Sequence, residues 1–242
     1  MIYAIFSDIH ANMEAFEAVL NDIKRQKVDS KVFLGDIVGY GPNPNECIEL
    51  LRENCDVIIA GNHDAAVTGD TNTTFFNSYA RESVIWTVKT ITKENLAFLK
   101  TLKSSNILED FQVAHSTPFE PDSWSYLTSL QDAHENYQTL ERDVCFIGHS
   151  HQPLIIEFVD EVNVLPIKDM YKTLNKNRKY IINAGSVGQP RDMNPEACYM
   201  TYDTKTDTIE YRRVEYNIGK VQKKMKKYEL PAYLIDRLSI GR

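Results

Sequence analysis

The first third of the chain alternates short apolar runs with segments in which apolar residues recur every three or four positions. The runs are 2–6, 32–34 and 57–60, and the segments between them are 12–26 and 44–53. Short apolar runs have the length of buried strands, whereas the longer spacing predicts amphipathic helices. Strands that alternate with helices at this pitch predict right-handed βαβ units and a parallel sheet.

In the rest of the chain the predicted helices and strands alternate less regularly. Helices are expected within 77–103 and at 129–141, strands at 107–114, 144–147, 153–159 and 179–183, and a hairpin of 197–202 with 208–216. A basic helical segment from about residue 217, broken at Pro231, ends the chain. Because no linker, repeat or low-complexity tract interrupts the sequence, we interpret residues 1–242 as a single domain.

Polar residues follow the predicted strands at the point where each apolar run stops. In an open α/β sheet ligands bind outside the carboxyl ends of the strands, so these residues are expected to converge. The set is Asp8, His10, Asp36, Asn62, His63, His115, His149 and His151. One Gly-Asp or Asp-x-His is ordinary turn chemistry. Five strand ends in order, each followed by a residue able to bind metal, indicate a shared site.

Oxygen and imidazole ligands without thiolate suit Mn, Fe, Zn, Co or Ni ions in a reactive rather than a structural site. The set is too large for one ion with open positions and about right for two. Asp36, the middle acid, is the candidate bridge between two ions. Two such ions against two carboxylates keep a positive charge, which favours an anionic substrate such as a phosphate ester.

Charge and cysteine content exclude several other classes. The net charge is −7, which disfavours a protein that coats a nucleic-acid polymer. Residues 217–242 depart from this, because five Lys and two Arg against two acids give +5. The four cysteines lie far apart without a C-x-x-C pair, which predicts free thiols in a reducing compartment. Without a signal peptide or membrane span, we expect a cytoplasmic protein with no membrane partner. Homo-oligomerisation stays open.

Five motifs resemble those of the calcineurin-like metallophosphoesterases, and they stand in that family's order. They are D-x-H at 8–10, G-D at 35–36, G-N-H-D at 61–64, the lone His115 after a strand, and G-H-x-H at 148–151. Residues 39–44 and 183–191 resemble the small prokaryotic branch of YfcE-like phosphodiesterases and phosphatases. The resemblance implies an α/β fold of two mixed β-sheets packed face to face with flanking helices, a four-layer αββα sandwich.

The resemblance also implies roles for individual residues. Asp8, His10 and His151 would hold one metal ion, Asn62, His115 and His149 a second, and Asp36 both. A hydroxide that bridges the metals would attack the phosphoester in line, with His63 as general acid or transition-state stabiliser. Asp64 would orient the His63 imidazole or cap the loop.

Three further residues are candidates for substrate binding. Arg191 would clamp the phosphate or form a surface ion pair, and Asn12 and Tyr40 would line the pocket or serve packing and capping.

Two other functions compete with a phosphodiesterase or phosphatase. A protein-binding scaffold such as the retromer subunit resembles this fold but lacks the histidine of G-N-H-D, whereas His63 and every expected ligand are present here. A nuclease would use the basic segment 220–227, although Val221, Met225 and Tyr228 are spaced like one face of a docked helix. We therefore expect a small phosphoester substrate rather than a polymer. Diesters, cyclic nucleotides, dinucleoside polyphosphates and phosphoproteins all stay open.

Overall fold

The computed structural model describes residues 1–158, 162–165 and 170–242. Its strands are β1 (Ile2–Phe6), β2 (Ser30–Phe33), β3 (Val57–Ile58), β4 (Ser105–Ile107), β5 (Gln112–Ala114), β6 (Val144–Ile147), β7 (Leu154–Phe158), β8 (Val162–Leu165), β9 (Tyr171–Thr173), β10 (Lys179–Asn183), β11 (Ala197–Asp203) and β12 (Thr208–Val214). Its α-helices are α1 (Met13–Ile23), α2 (Pro44–Asn54), α3 (Asn62–Thr68), α4 (Ser78–Thr90), α5 (Lys93–Leu99), α6 (Leu130–Gln138), α7 (Ile218–Lys227) and α8 (Ala232–Asp236).

The strands form two mixed sheets. The first has the order β3-β2-β1-β11-β12-β9 and the second the order β4-β5-β6-β10-β7-β8. β1, β2 and β3 are parallel, as the alternating pattern predicts, and β11 joins β1 antiparallel. The predicted sandwich of two mixed sheets with flanking helices is confirmed.

Alternation of side chains along the central strands explains the layers. In β1, Tyr3 and Ile5 are buried between the sheets, where they join a cluster with Phe146 of β6. Ala4 and Phe6 point the other way and pack in a cluster with helices α1 and α2. Because successive side chains alternate between the two faces of a strand, a strand covered on both faces is a continuous apolar run.

The structure corrects the prediction of a single strand at 107–114. It has two short strands, β4 and β5, joined by a tight turn in which the Leu108 N–H donates to the Phe111 carbonyl at 2.8 Å. The turn contains the exposed residues Glu109 and Asp110, whose charges favour solvent over a sheet interior. Helix α3 and strands β8 and β9 were not predicted, and the last residue of the predicted strand 153–159 lies outside the described residues.

The basic C-terminal helix docks by its apolar face. Val221 and Met225 of α7 are buried in a cluster that includes Tyr40, Ala80 and Leu234. Tyr228, which the prediction placed on the same face, is 42% exposed at the end of the helix. The helix is therefore docked as predicted through Val221 and Met225 but not through Tyr228, and Pro231 separates α7 from α8 as expected. This cluster brings the end of the chain against Tyr40, next to the candidate site described below.

Two further expectations concern the whole chain. Cys47, Cys145 and Cys198 are buried, Cys55 is half-buried, and all four thiols are free, as predicted. Across the described ranges, no helix combines the length and the apolar character needed to cross a bilayer.

Candidate metal centre

The carboxyl ends of strands from both sheets meet at one edge of the sandwich. Asp8 follows β1, Asp36 follows β2, His115 follows β5 and His149 follows β6. His10 and His151 lie two residues beyond Asp8 and His149, and Asn62 opens α3 close after β3. All seven side chains are buried. The structure thus brings together every residue that the sequence assigned to metal binding.

Four of these residues form one group and three form another, with Asp36 in both. Ligand atoms of Asp8, His10, Asp36 and His151 lie within 4.8 Å of one another, and so do those of Asp36, His115 and His149. The Asp36 Oδ2 atom is 3.5 Å from His10 Nε2 and 3.4 Å from His115 Nε2. The Asn62 Oδ1 atom lies 3.3 Å from His115 Nε2, beside the second group. Asp36 therefore faces histidines on two sides.

Close backbone approach makes this convergence sterically feasible. A Cβ atom at Gly61 would lie 2.1 Å from Asp36 Oδ1, and one at Gly148 would lie 2.7 Å from Asp8 Oδ2. Asp8 and Asp36 themselves have φ values of 55° and 60°, in the left-handed region that non-glycine residues rarely adopt. Such strain persists where the surrounding structure fixes it, and it clusters at functional sites.

Hydrogen bonds to main-chain carbonyls orient three of the four histidines. The Nδ1–H group of His10 donates to the Val38 carbonyl oxygen at 2.9 Å. The same group of His115 donates to the Leu34 carbonyl at 2.7 Å, and that of His151 to the Gln189 carbonyl at 2.6 Å. A histidine whose Nδ1 carries the proton presents the Nε2 lone pair, and such outer hydrogen bonds are typical of metal-binding histidines. These three rings therefore direct Nε2 at the carboxylates.

His149 uses the opposite nitrogen. Its Nε2 lies 3.0 Å from the main-chain carbonyl of Trp124, to which it donates, so its Nδ1 is the nitrogen with a free lone pair. The indole N–H of Trp124 donates in turn to Thr71 Oγ1 at 2.9 Å. The loop around Trp124 thereby orients one of the candidate ligands.

The charges of the site suit a bound cation. Burial would raise the pKa of Asp36, but the imidazoles of His115, His63 and His10 hold it well below its usual range. Burial lowers the pKa of His115, yet Asp36 outweighs this and raises it to about 9. Asp36 therefore stabilises positive charge strongly at this position.

A buried carboxylate oxygen without a hydrogen-bond partner also indicates that these residues bind metal ions. Asp8 Oδ1 is buried without a hydrogen-bond partner among the described residues, although His151 Nε2 lies 3.3 Å and His10 Nε2 3.7 Å away. Since the Nδ1–H groups are already engaged, the Nε2 lone pairs face a carboxylate oxygen. Two acceptors facing each other in a buried site are costly unless a cation lies between them.

His63 and Asp64 have different surroundings. The buried His63 ring packs at centroid distances of 4.4 Å from Tyr40 and 4.9 Å from Phe76, and its Nδ1 has no partner in the described chain. The Asp64 carboxylate instead accepts from the backbone N–H groups of Asp36, Ile37, Val38 and Gly61 at 2.9–3.1 Å. The structure therefore shows Asp64 in the loop-capping role, and none of its hydrogen bonds among the described residues goes to the His63 imidazole.

A cavity of about 270 Å³ opens beside the two groups. Tyr40 and Arg191 line it, as predicted for substrate binding, and the Arg191 guanidinium donates to Tyr40 Oη at 3.3 Å and to Gln189 Oε1 at 3.0 Å. No carboxylate of the described residues lies within ion-pair distance of Arg191, so the alternative of a surface ion pair is not seen. Asn12 does not line this cavity; it caps α1 at Ala15 N and donates to the Gly188 carbonyl.

Sequence reasoning missed the outer wall of the cavity. That wall comes from the loops before α4 and α6, which supply Thr71, Asn72, Phe76, Asn77, Ser123, Trp124 and Tyr126. These loops carry no metal-binding motif. The only signal was the pair of aromatic residues in the polar stretch S-W-S-Y at 123–126.

Comparison with known proteins identifies the family. The sequence model described as the calcineurin-like phosphoesterase superfamily domain matches residues 1–207. The chain belongs to this superfamily. The family predicted from the motifs is therefore confirmed.

Relatives of this chain match it over its full length. It is 44% identical to an uncharacterised protein of Methanocaldococcus jannaschii, over 99% of this chain and 98% of that one. It is similar to a metallophosphoesterase from Sphaerobacter thermophilus, with 38% identity, a TM-score of 0.89, and 100% and 99% of the two chains covered. A hypothetical protein of Pyrococcus horikoshii shares the fold, with 18% identity, a TM-score of 0.81 and coverage of 100% and 98%. Family and Asp–His cluster together support metal-dependent hydrolysis of phosphoesters.

Proposed function

We propose that this phosphoesterase hydrolyses a small phosphoester, as a phosphodiesterase or phosphatase, with two metal ions. The observation that carries the proposal is the position of Asp36. Its carboxylate belongs to both groups of ligand atoms, and it lies about equally far from His10 and His115. A carboxylate shared between two ions reduces the repulsion between them.

The two groups of neighbouring ligand atoms indicate which residues would bind which ion. Asp8, His10 and His151 would hold one ion, and Asn62, His115 and His149 the other, with Asp36 common to both. Mn, Fe, Zn, Co and Ni all accept this combination of oxygen and imidazole ligands. When bound, such a pair of ions would activate a water molecule and neutralise charge on the phosphoryl oxygens.

His63 lies where it can act on the leaving group. Its ring lines the cavity beside Asp36 and Asn62 without belonging to either ligand group. An imidazole N–H at this position would donate a hydrogen bond to the departing oxygen as general acid or transition-state stabiliser. Arg191, fixed by Tyr40 and Gln189, would place its guanidinium on the phosphate.

The competing functions fit the site less well. A binding scaffold has no use for a buried, complete ligand set with His63 beside it. A nuclease needs basic side chains along the path of a polymer, whereas Arg191 is the only Lys or Arg among the described residues that line the cavity.

Asp36→Asn tests the proposal directly. The amide loses the charge that both ions need, so we expect loss of at least one ion and of activity by well over 100-fold, since changes behind the ligands alone cost about 10–100-fold. Elemental analysis gives the metal content, and bis(p-nitrophenyl) phosphate and p-nitrophenyl phosphate report diesterase and monoesterase turnover. Asp110→Asn, an exposed acid distant in the fold, is the matched control. Fully active wild-type protein with one ion or none would refute the two-metal proposal.

A further inference from the structure

One aromatic ring beside the metal centre has a free face. The Tyr126 ring stacks on the His149 imidazole with centroids 4.1 Å apart and an interplanar angle of 27°. The side chain is nevertheless 50% exposed and lines the cavity. A ring that is packed on one face and exposed to this extent offers its second face to a ligand.

Neighbouring contacts hold the aromatic wall in place. The Trp124 indole N–H donates to Thr71 Oγ1, which links the two loops that form the wall. Phe76 lines the cavity from the other loop and packs against His63. Rigid rings that are fixed before binding lose little conformational freedom when a flat group stacks on them.

The other lining residues indicate which chemical groups the ligand carries besides a flat ring. Among the described lining residues Arg191 is the one Lys or Arg side chain, enough to bind one phosphate beside the candidate metal ligands. Thr71, Asn72 and Asn77 are uncharged groups at the outer wall that can hydrogen-bond to ring edges or hydroxyls. A volume of about 270 Å³ lies near the lower limit of small-molecule sites, which suits a ligand of about one nucleotide.

We propose that this cavity binds a nucleotide, with the base stacked on the free face of Tyr126 and the phosphate at the metal centre. This inference rests on the proposed phosphoesterase function and specifies its substrate class. Tyr126 is then a specificity-determining residue, because stacking on its ring strengthens the binding of esters whose alcohol part carries a flat heterocycle.

The test compares ligands that differ only in the base. AMP and ribose 5-phosphate are esters of the same primary alcohol, so the ratio of their kcat/KM values measures the contribution of the base. Their methylenephosphonate analogues, in which carbon replaces the ester oxygen, allow the same ratio to be measured as Kd by calorimetry on the metal-loaded protein without hydrolysis. Stacking on one aromatic ring predicts a preference of about ten-fold for the adenosine compound.

Three variants separate stacking from other effects. Tyr126→Ala should reduce the preference to below about two-fold, whereas Tyr126→Phe retains the ring and should retain the preference. Tyr171→Ala removes an exposed tyrosine of β9, outside the cavity lining, and should leave the ratio unchanged. Metal content and melting temperature are measured for each variant, because Tyr126 also touches His149.

The outcomes distinguish the two proposals. A wild-type ratio near one with both esters hydrolysed overturns the nucleotide subsite and leaves the phosphoesterase intact. A preference that survives in Tyr126→Ala also overturns it. Equal affinity for benzylphosphonate and the adenosine analogue would show that the cavity binds any flat ring, which contradicts a site for nucleotides. Preferential binding of the adenosine analogue without hydrolysis of any ester refutes the proposed function while the subsite stands.

Discussion

At the scale of single residues, the choice of ring nitrogen distinguishes His149 from the other three candidate ligands. His10, His115 and His151 depend on carbonyls of the loops that follow the central strands, whereas His149 depends on Trp124, a residue of the outer wall. The residues that shape the cavity therefore also orient one candidate metal ligand. A change in the wall should affect metal affinity as well as substrate choice.

His63 is the residue whose role a single substitution resolves best. We expect His63→Ala to fold and to retain metal, because the ring belongs to neither ligand group. Turnover of an alkyl phosphoester should fall about 10²–10⁴-fold, the usual contribution of a positioned acid or base. Steady-state kinetics and elemental analysis on the same preparation measure both effects.

The leaving group separates the two roles open to His63. A p-nitrophenolate leaving group needs little protonation, so a proton donor predicts a smaller loss on the p-nitrophenyl ester than on the alkyl ester. Equal losses on both would indicate general charge stabilisation or support of the cavity shape. His134→Ala, which changes an exposed histidine on α6, is the control for removal of an imidazole.

At the scale of helices and strands, what the sequence predicts depends on burial. β1, β6 and β10 are covered on both faces, so their apolar runs mark them clearly. β9 lies at the edge of its sheet and its three residues are exposed or half-buried, which leaves no periodicity to detect. Helix α3 has only seven residues and begins within the G-N-H-D motif at 61–64, so it is too short to show an apolar periodicity.

The candidate site follows the same division. Its ligands are at strand ends, where topology alone brings distant residues together. The outer wall depends on how two loops fold over that edge, and loop conformation is set by contacts such as Trp124 to Thr71 that no sequence spacing predicts. Asp64 shows the limit at a single position: the motif indicates its importance but not that it binds four backbone N–H groups.

Helix α7 is fixed to α1 by an ion pair whose effect should depend on pH. The Glu14 carboxylate is buried and lies 2.7 Å from Lys224 Nζ and 3.1 Å from Lys220 Nζ. Burial opposes ionisation of Glu14, but the two lysines outweigh it and lower its pKa. A carboxyl whose pKa is lowered on folding stabilises the fold above its unfolded pKa of about 4.3, and this contribution is lost as the pH falls through the folded value.

Glu14→Gln should therefore lower the free energy of unfolding by about 1–2 kcal/mol at pH 7, between the values typical of exposed and buried pairs. The difference from wild type should shrink as the pH falls below about 4. Urea unfolding at a series of pH values measures it. Glu17→Gln changes an exposed acid on the same helix and should show no such dependence. A constant difference at all pH values would mean that the ion pair is not its cause.

At the scale of the whole molecule, charge is distributed in a way that bears on possible partners. The chain carries −7, whereas its basic C-terminal segment, residues 217–242, carries +5. Two of its lysines are held by Glu14, and its apolar face packs on Tyr40 and Ala80. Lys223, Lys226 and Lys227 are left exposed to solvent. The segment thus packs against Tyr40, a residue of the cavity lining, and only three of its five lysines are free to meet a polyanion.

Replacing Lys223, Lys226 and Lys227 together with Gln tests whether a nucleic-acid polymer is a partner. Because these side chains lie outside the cavity and away from Glu14, kcat/KM for a small phosphoester should change less than about two-fold, and exposed lysines contribute roughly 0–1 kcal/mol each to stability. Wild-type protein and variant should behave alike when fluorescence anisotropy follows labelled single strands and duplexes at low and moderate salt. Binding through phosphate contacts weakens steeply with salt, since counterions are released for each phosphate neutralised. Tight wild-type binding that falls with salt and disappears in the triple variant would favour the nuclease over a small-molecule phosphoesterase.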